Sequence, residues 1–150
     1  MVYRAFGALD ALERGRKLAR VCRRRRLTLM VGADARLAVR LSADGLHLPE
    51  RMAGRARMFR RRFLVTTAAH SLPAALRARR AGAMAVIVSP VFPSASPSAG
   101  RPMGTLALAG LVRRVRAPVY ALGGVTAANV KKLGMTRVAG LAAVEALART

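Results

Sequence analysis

Hydrophobic and polar positions along the chain repeat one unit: an amphipathic stretch, a basic cluster, a short aliphatic run and a small or polar turn. Five segments show this unit clearly: 18–31, 58–67, 76–88, 111–123 and 130–141. Two further short strands are expected at 2–6 and 45–48. The pattern therefore predicts seven strands separated by helices. Strands this short and apolar are typical of a parallel sheet that helices cover on both faces.

The residues between these runs supply signals for helix ends. Ser71 and Thr126 are predicted N-caps, because a side-chain hydroxyl can accept a hydrogen bond from a free N–H of the first turn. Gly82 and Gly134 are predicted helix stops, and Pro118 separates a helix from the strand that follows it. These positions support an alternation of helices and strands.

The longest interruption of the repeat is the segment 89–104, which is rich in Pro, Ser and Gly. It follows a predicted strand, on the side where β/α barrels carry their functional sites. The composition is consistent with an active-site loop and also with an ordinary surface loop.

Length and composition indicate a single domain over residues 1–150, since domains commonly contain about 100 to 150 residues. The hydrophobic content of 53% can form a core, but no apolar run reaches the roughly 18 residues of a membrane-spanning helix. No secretory signal pattern is present at the start, so we expect a soluble, cytoplasmic protein with no membrane partner. Cys22, which lies among apolar residues, is predicted to belong to the core.

Charge is the unusual property of this chain. Its 28 Lys and Arg against 6 Asp and Glu give a formal charge of +22, which would attract a polyanion such as nucleic acid. Against a nucleic-acid site stand the 4% aromatic content and the absence of known recognition motifs. A nucleic-acid-binding barrel protein would need its arginines gathered on one accessible stripe.

The arginines instead fit a solvated belt. The clusters at 23–26, 60–62, 79–80 and 113–114 fall near predicted helix C-termini, where each cation complements the helix dipole by about 0.3 to 1 kcal/mol. In a barrel these ends lie on the face opposite the functional site. We therefore expect clusters 23–26 and 60–62 to lie away from Gly123.

Several motifs occur in an order and spacing that resemble a known family. They are DGLHL at 44–48, PVFPS at 90–94, GRPMG at 100–104, ALGGV at 121–125 and VAGL at 138–141. Together they resemble thiamin phosphate synthase and its sister, the thiazole tautomerase, over about residues 2–147. The resemblance implies an α/β fold of the TIM type, a (β/α) barrel of about seven strands with the first βα unit missing. Pro90 stands where the tautomerase has a histidine, which favours the synthase branch.

By this resemblance the chain would couple hydroxymethylpyrimidine diphosphate with thiazole phosphate, releasing diphosphate, with Mg²⁺ on the leaving group. Such chemistry needs cations on phosphates and carboxylates on the metal. Arg4 matches an arginine that would reach the diphosphate, whereas Phe6 replaces a second basic residue. Ser94 and Ser96 keep hydroxyls where the family has threonines, so both join Arg4 as candidate catalytic residues.

The metal-binding positions of the family are altered here. Its Asn-Asp pair falls on Gly32 and Ala33, and its metal aspartate falls on Met52. Asp34 and Glu50 lie close by and are the candidate replacements as Mg²⁺ ligands; the alternative is that both are ordinary loop carboxylates. Three more positions depart from the family: Ala68 and Ala142 replace serines, and Pro97 replaces a lysine.

Gly123 and Gly124 follow the predicted seventh strand of the family barrel and form the strongest candidate site. Loops after the last two strands of such barrels bind phosphate through backbone N–H groups, and Gly140 and Leu141 could supply partner amides. The alternative is a tight turn without ligand. His47 alternates with leucines in a short strand and is interpreted as a hydrogen-bonded core residue.

Two other functions stay open: a catalytically impaired member that binds phosphorylated ligands, and the basic nucleic-acid-binding protein. The strands near Val2 and Val138 are expected to be open edges, which favours a homodimer or a covering segment.

Overall fold

The computed structural model describes residues 1–5, 7–94 and 100–143. Phe6, Ser96 and Pro97, which the sequence comparison with the family singled out, lie outside the described residues.

Seven strands form one parallel sheet in chain order. They are β1 Val2–Tyr3, β2 Met30–Gly32, β3 Gly45–Leu48, β4 Leu64–Ala69, β5 Ala85–Val88, β6 Val119–Ala121 and β7 Gly140–Leu141. Each strand pairs with the next, from Val2 beside Met30 to Ala121 beside Leu141. The seven predicted parallel strands are confirmed. β1 and β7 do not pair with each other, so the described strands form a sheet that curls into an open barrel, with β1 and β7 at its ends.

Helices connect the strands in the described part of the chain. They are α1 Ala11–Arg24, α2 Ala35–Arg40, α3 Ala56–Phe59, α4 Leu72–Arg80 and α5 Thr105–Val115, with 3-10 helices at Glu50–Arg55 and Val130–Thr136. None of these helices is long and apolar enough to cross a membrane.

The core lies between the sheet and the helices. Val31, Leu46 and Val65 are neighbours across β2, β3 and β4, and all three are buried. They belong to the same apolar cluster as Ala75 in α4 and Leu108 in α5. Each fully buried aliphatic side chain stabilises the fold by roughly 1.5 to 3 kcal/mol. Because side chains alternate along a strand, the other set faces the concave side of the sheet.

Three of the predicted local signals are confirmed. The Ser71 hydroxyl accepts a hydrogen bond from the N–H of Ala74 and caps α4. Gly82 adopts a φ of 88° just after α4 and ends it. Cys22 is buried in a small cluster with Ala19 and Leu29.

Two predicted signals are wrong. Thr126 does not cap a helix, because Asn129 precedes the 3-10 helix Val130–Thr136 and its side-chain Oδ1 accepts a hydrogen bond from the Thr126 N–H. Gly134 lies inside that helix, which ends at Arg137 in the left-handed region instead. Both predictions assumed an α-helix in this region. The chain forms a 3-10 helix there instead, and the ends of a 3-10 helix are capped differently.

The parallel order separates two rims. The site rim consists of the loops that follow the C-terminal ends of the strands. The basic rim consists of the connections that precede the strands, and its exposed arginines are Arg23–Arg26, Arg40, Arg60–Arg62, Arg79, Arg80, Arg113, Arg114, Arg116 and Arg137. Gly123 follows β6 and lies on the site rim, so clusters 23–26 and 60–62 lie on the opposite rim, as predicted.

Candidate functional site

Gly123 and Gly124 form a turn at the C-terminal end of β6. Their φ angles are 91° and 63°, a region that L-residues rarely adopt. A Cβ on Gly123 would lie 2.8 Å from Pro90 Cα, and one on Gly124 would lie 2.1 Å from the carbonyl oxygen of Pro93. Both positions therefore require glycine, for backbone conformation and for space.

The loop after β5 packs closely against this turn. The N–H of Val91 donates to the Leu122 carbonyl at 3.0 Å, and the N–H of Phe92 donates to the Gly123 carbonyl at 3.0 Å. The Asn129 side chain donates to the Gly124 carbonyl at 2.7 Å. The carbonyl groups of the turn are thus held by hydrogen bonds from two sides.

The N–H groups of the same turn are unused. Within the described residues, neither Gly123 nor Gly124 donates a backbone hydrogen bond. Successive free N–H groups in such a turn form a concave site that attracts anions. The local geometry therefore suits a phosphate group, whichever side chains surround it.

Gly140 and Leu141 were predicted to supply backbone N–H groups to the phosphate, but their position in the sheet makes this contribution less direct. Both lie within β7, paired with Tyr120 and Ala121, and the next N–H, that of Ala142, donates to the Ala121 carbonyl at 2.8 Å. They also line a recess of about 270 Å³ together with residues of the 3-10 helix, such as Leu133. Their part in phosphate binding stays a prediction.

Arg4 lies directly after β1 and extends over the end of β2. A Cβ on Gly32 would lie 3.1 Å from Arg4 Cγ, so the side chain crosses the position where the family has an asparagine. Beside it, His47 Nδ1 lies 3.0 Å from the Thr66 hydroxyl. Burial, with a smaller contribution from the charge of Arg4, lowers the pKa of His47 from 6.5 to about 4. His47 is therefore uncharged near pH 7, where it forms part of the bottom of the site.

The two candidate metal ligands both bind backbone groups. Asp34 accepts a hydrogen bond from the Leu37 N–H at 2.8 Å and caps α2. Glu50 accepts one from the His70 N–H at 2.8 Å and lies 3.5 Å from the Arg77 guanidinium. No group of three or more metal-binding side chains occurs in the described part of the chain. The residues present do not fit a carboxylate cage for Mg²⁺, which usually also binds substrate phosphates.

His70 is a polar residue of the site rim to which the sequence interpretation gave no role. It directly follows β4, and its Nδ1 lies 2.5 Å from the Ser89 carbonyl oxygen after β5. A carbonyl only accepts, so Nδ1 carries the proton and Nε2 is left as an acceptor. Its position immediately after a predicted barrel strand was the available signal.

The long loop is described only at its two ends, 89–94 and 100–104. The N–H of Met103 donates to the Pro90 carbonyl and that of Gly104 to the Val91 carbonyl, so these ends meet beside the glycine turn. Ser94 lies at this mouth and is half-buried. Ser96 lies outside the described residues, so its role stays a prediction.

Comparison with known proteins agrees with this geometry. A model of the family described as "Thiamine monophosphate synthase" matches residues 3–147. The chain belongs to this family.

Two curated relatives and one solved structure illustrate the similarity. The chain is 34% identical over 118 residues to putative thiamine-phosphate synthase 2 of Aquifex aeolicus, covering 75% of this chain and 63% of that protein. It is 31% identical to thiamine-phosphate synthase of Geobacillus kaustophilus, covering 95% and 67%. Thiamine phosphate pyrophosphorylase from Pyrococcus furiosus superposes with a TM-score of 0.83 at 26% identity, covering 95% and 70%. The chain thus spans less than two thirds of the Aquifex protein.

Proposed function

We propose that this chain couples hydroxymethylpyrimidine diphosphate with thiazole phosphate to give thiamin phosphate and diphosphate. The observation that carries the proposal is the glycine turn, because its two free N–H groups lie at the mouth of a barrel of this family. In such barrels a phosphate is bound by the loops after the last strands. The turn is the counterpart of that site for the thiazole phosphate.

The reaction exchanges one bond for another. The bond from the pyrimidine methylene carbon to the diphosphate oxygen breaks, and diphosphate leaves with the electron pair. The lone pair of the thiazole nitrogen then forms the new carbon–nitrogen bond. A carbocation-like state lies between these events, so the enzyme must stabilise the departing negative charge and exclude water.

The chain's own residues meet these needs in part. Arg4 brings a guanidinium to the end of β1, where it binds diphosphate oxygens. Neutral His47 keeps a second positive charge away from the carbocation-like pyrimidine. Ser94 offers its hydroxyl to the leaving group, and the role expected of Ser96 from the family resemblance stays a prediction. Because Asp34 and Glu50 already bind backbone N–H groups, no step is assigned to Mg²⁺.

A second candidate function is the binding of phosphorylated ligands without catalysis. It is favoured by the resemblance, which aligns the family's Asn-Asp pair with Gly32 and Ala33 and its metal aspartate with Met52, so that both carboxylates are lost. The glycine turn does not depend on those side chains. Binding can therefore persist in a chain that has lost the reaction.

One experiment separates the two candidates. The purified chain is incubated with both precursors and Mg²⁺, and thiamin phosphate is quantified by chromatography beside calorimetric titration of thiamin phosphate. The synthase proposal expects product, with a rate at least tenfold lower in Arg4→Gln than in the matched surface variant Arg20→Gln. Binding without product would support the second candidate, and neither binding nor product would contradict both.

We also propose that the chain self-associates. No described strand pairs with the outer side of β1 or of β7, and exposed strand edges favour pairing with another chain. Light scattering should give a dimer; a monomer at micromolar concentration would contradict this. The cytoplasmic location and the organisation of 1–150 as one domain stay predictions.

A further inference from the structure

We propose that the basic rim is a binding surface for the phosphate backbone of duplex nucleic acid, separate from the small-molecule site on the opposite rim. The proposal starts from a recess of about 410 Å³ between the C-terminal ends of α4 and α5. Its lining residues are Leu76, Arg79, Arg113, Arg114 and Arg116. A recess lined by four guanidinium groups is a site for an anion of high charge.

Among the described residues, no ion pair joins any of these four arginines to an acid. Within residues 1–5, 7–94 and 100–143, the ion pairs join Arg14 to Asp10, Lys17 to Glu13 and Arg77 to Glu50. The acids in these pairs lie near helix N-termini, on the side of the site rim. The lining residues thus bring four positive charges and no acid to the recess.

The recess continues into a row of arginines. Since the strands are ordered β1 to β7, the ends of α1 to α5 follow one another along the rim. Arg60, after α3, lies against the turn after α4, because a Cβ on Gly82 would be 3.2 Å from Arg60 Cδ. Neighbouring helices are typically 8 to 10 Å apart. The rim thus presents arginines from successive helix ends along one curved stripe.

The rim carries more charge than the helices need. One cation in the last turn already complements a helix dipole. The end of α1 is followed by four consecutive arginines, Arg23–Arg26, and the end of α5 has three within four positions. The single described acid of this rim, Asp44, is occupied by a 2.7 Å hydrogen bond from the Leu29 N–H. Such clustering costs free energy through repulsion unless an anion binds there.

The composition favours nucleic acid over other polyanions. All but three of the 28 basic residues are arginine, which binds phosphate through paired N–H groups. A recess receives the row of phosphates along a nucleic-acid strand, whereas a flat lipid surface would contact only its edges. The four arginines share the recess with one aliphatic residue and no aromatic side chain, so the contact is with backbone phosphates rather than stacked bases.

The test uses the full chain and a 20-base-pair DNA duplex labelled with a fluorophore. Fluorescence anisotropy gives Kd between 50 and 300 mM salt for wild type, for the triple variant Arg79→Gln, Arg113→Gln, Arg114→Gln, and for the control Arg14→Gln, Arg16→Gln, Arg20→Gln. The control removes the same charge from exposed positions of α1. We expect Kd to rise at least tenfold in the recess variant and less than threefold in the control.

The salt dependence gives an independent readout. Because each phosphate contact adds about 0.9 to the slope of log K against log salt, the recess variant should lose roughly two to three from that slope. Equal losses in both variants, no binding by wild type, or equally tight binding of polyglutamate or of phosphatidylserine vesicles would overturn the proposal. Thiamin phosphate affinity, measured on the same recess variant, should equal that of wild type, which separates this surface from the proposed function.

Discussion

The site rim and the basic rim are built from the same βα repeat but use it differently. On the site rim, backbone geometry dominates: Gly123 and Gly124 adopt conformations that other residues avoid and leave N–H groups free. On the basic rim, side-chain charge dominates, and Arg79 and Arg113 line a recess together with two further arginines and one leucine. The site rim therefore depends on two glycines that no other residue can replace. The basic rim depends on arginine charges, which can be substituted one at a time.

This difference explains how the chain can depart from its family without losing the fold. By the family resemblance, Ala33 and Met52 are altered positions; Ala33 follows β2, and Met52 lies in the 3-10 helix after β3, so both are on the site rim and neither belongs to a strand. Substitutions there alter chemistry, whereas the core between sheet and helices is kept. The two rims should consequently respond differently to mutation.

The largest effect is expected for Gly123→Ala. The added methyl would contact Pro90 Cα at 2.8 Å in a backbone conformation that already strains an L-residue. We expect a loss of about 3 kcal/mol in the free energy of unfolding, measured by urea denaturation. Gly110→Ala, inside α5 with open space around it, is the control and should be neutral or stabilise by up to about 1 kcal/mol. An unchanged free energy of unfolding in Gly123→Ala would show that the turn does not require glycine.

The next effect is a pH dependence from His47. Its pKa is about 4 in the folded chain and 6.5 ordinarily, so between these values the unfolded chain binds a proton that the folded chain does not. Stability therefore rises with pH across this window and falls as pH drops, by roughly 2 to 3 kcal/mol in total. Denaturation from pH 4 to 7 should show a shallower slope in His47→Gln. Parallel curves for the two proteins would contradict the assignment.

A smaller effect is expected at Glu50. Glu50→Ala removes the acceptor for the His70 N–H, which links the loops after β3 and β4. We expect a loss of about 1 kcal/mol in thermal unfolding, with most of it recovered in Glu50→Gln, whose amide oxygen still accepts. If both variants lost only magnesium affinity and no stability, Glu50 would be a metal ligand after all.

The smallest effect on stability is expected on the basic rim. The triple variant Arg79→Gln, Arg113→Gln, Arg114→Gln removes repulsion and no ion pair, so its free energy of unfolding should change by less than about 0.5 kcal/mol. Any gain at low salt should vanish near 1 M salt, where the Debye length is about 3 Å. A loss above 1 kcal/mol would mean that these arginines are structural.

The strands could be predicted from sequence because each is a short aliphatic run bounded by basic clusters. The runs ending at Val31, Leu48 and Val88 all became parallel strands of the open barrel. The segment 126–137 was harder to predict, because a 3-10 helix held by Asn129 takes the place of the expected α-helix. Its end at Arg137 depends on a left-handed conformation that no glycine signals.

The site was only partly predictable. A pair of glycines after a strand indicates a turn, and the family resemblance adds phosphate. The link between Glu50 and His70 joins residues twenty positions apart and depends on the register of β3 and β4. The occupation of Asp34 by the α2 N-terminus likewise depends on where that helix begins. Such contacts belong to the folded arrangement and have no local signature.

The most direct test of the phosphate site is calorimetric titration of thiamin phosphate into wild type, Gly124→Val and Gly134→Val, with circular dichroism to confirm folding. A side chain at Gly124 would lie 2.1 Å from the Pro93 carbonyl oxygen, whereas Gly134 has open space around it. We expect wild type and Gly134→Val to bind equally. Gly124→Val should lose stability, and under conditions where circular dichroism shows it folded it should bind at least tenfold more weakly. Equal affinity in all three proteins would contradict the assignment of the glycine turn as the phosphate site.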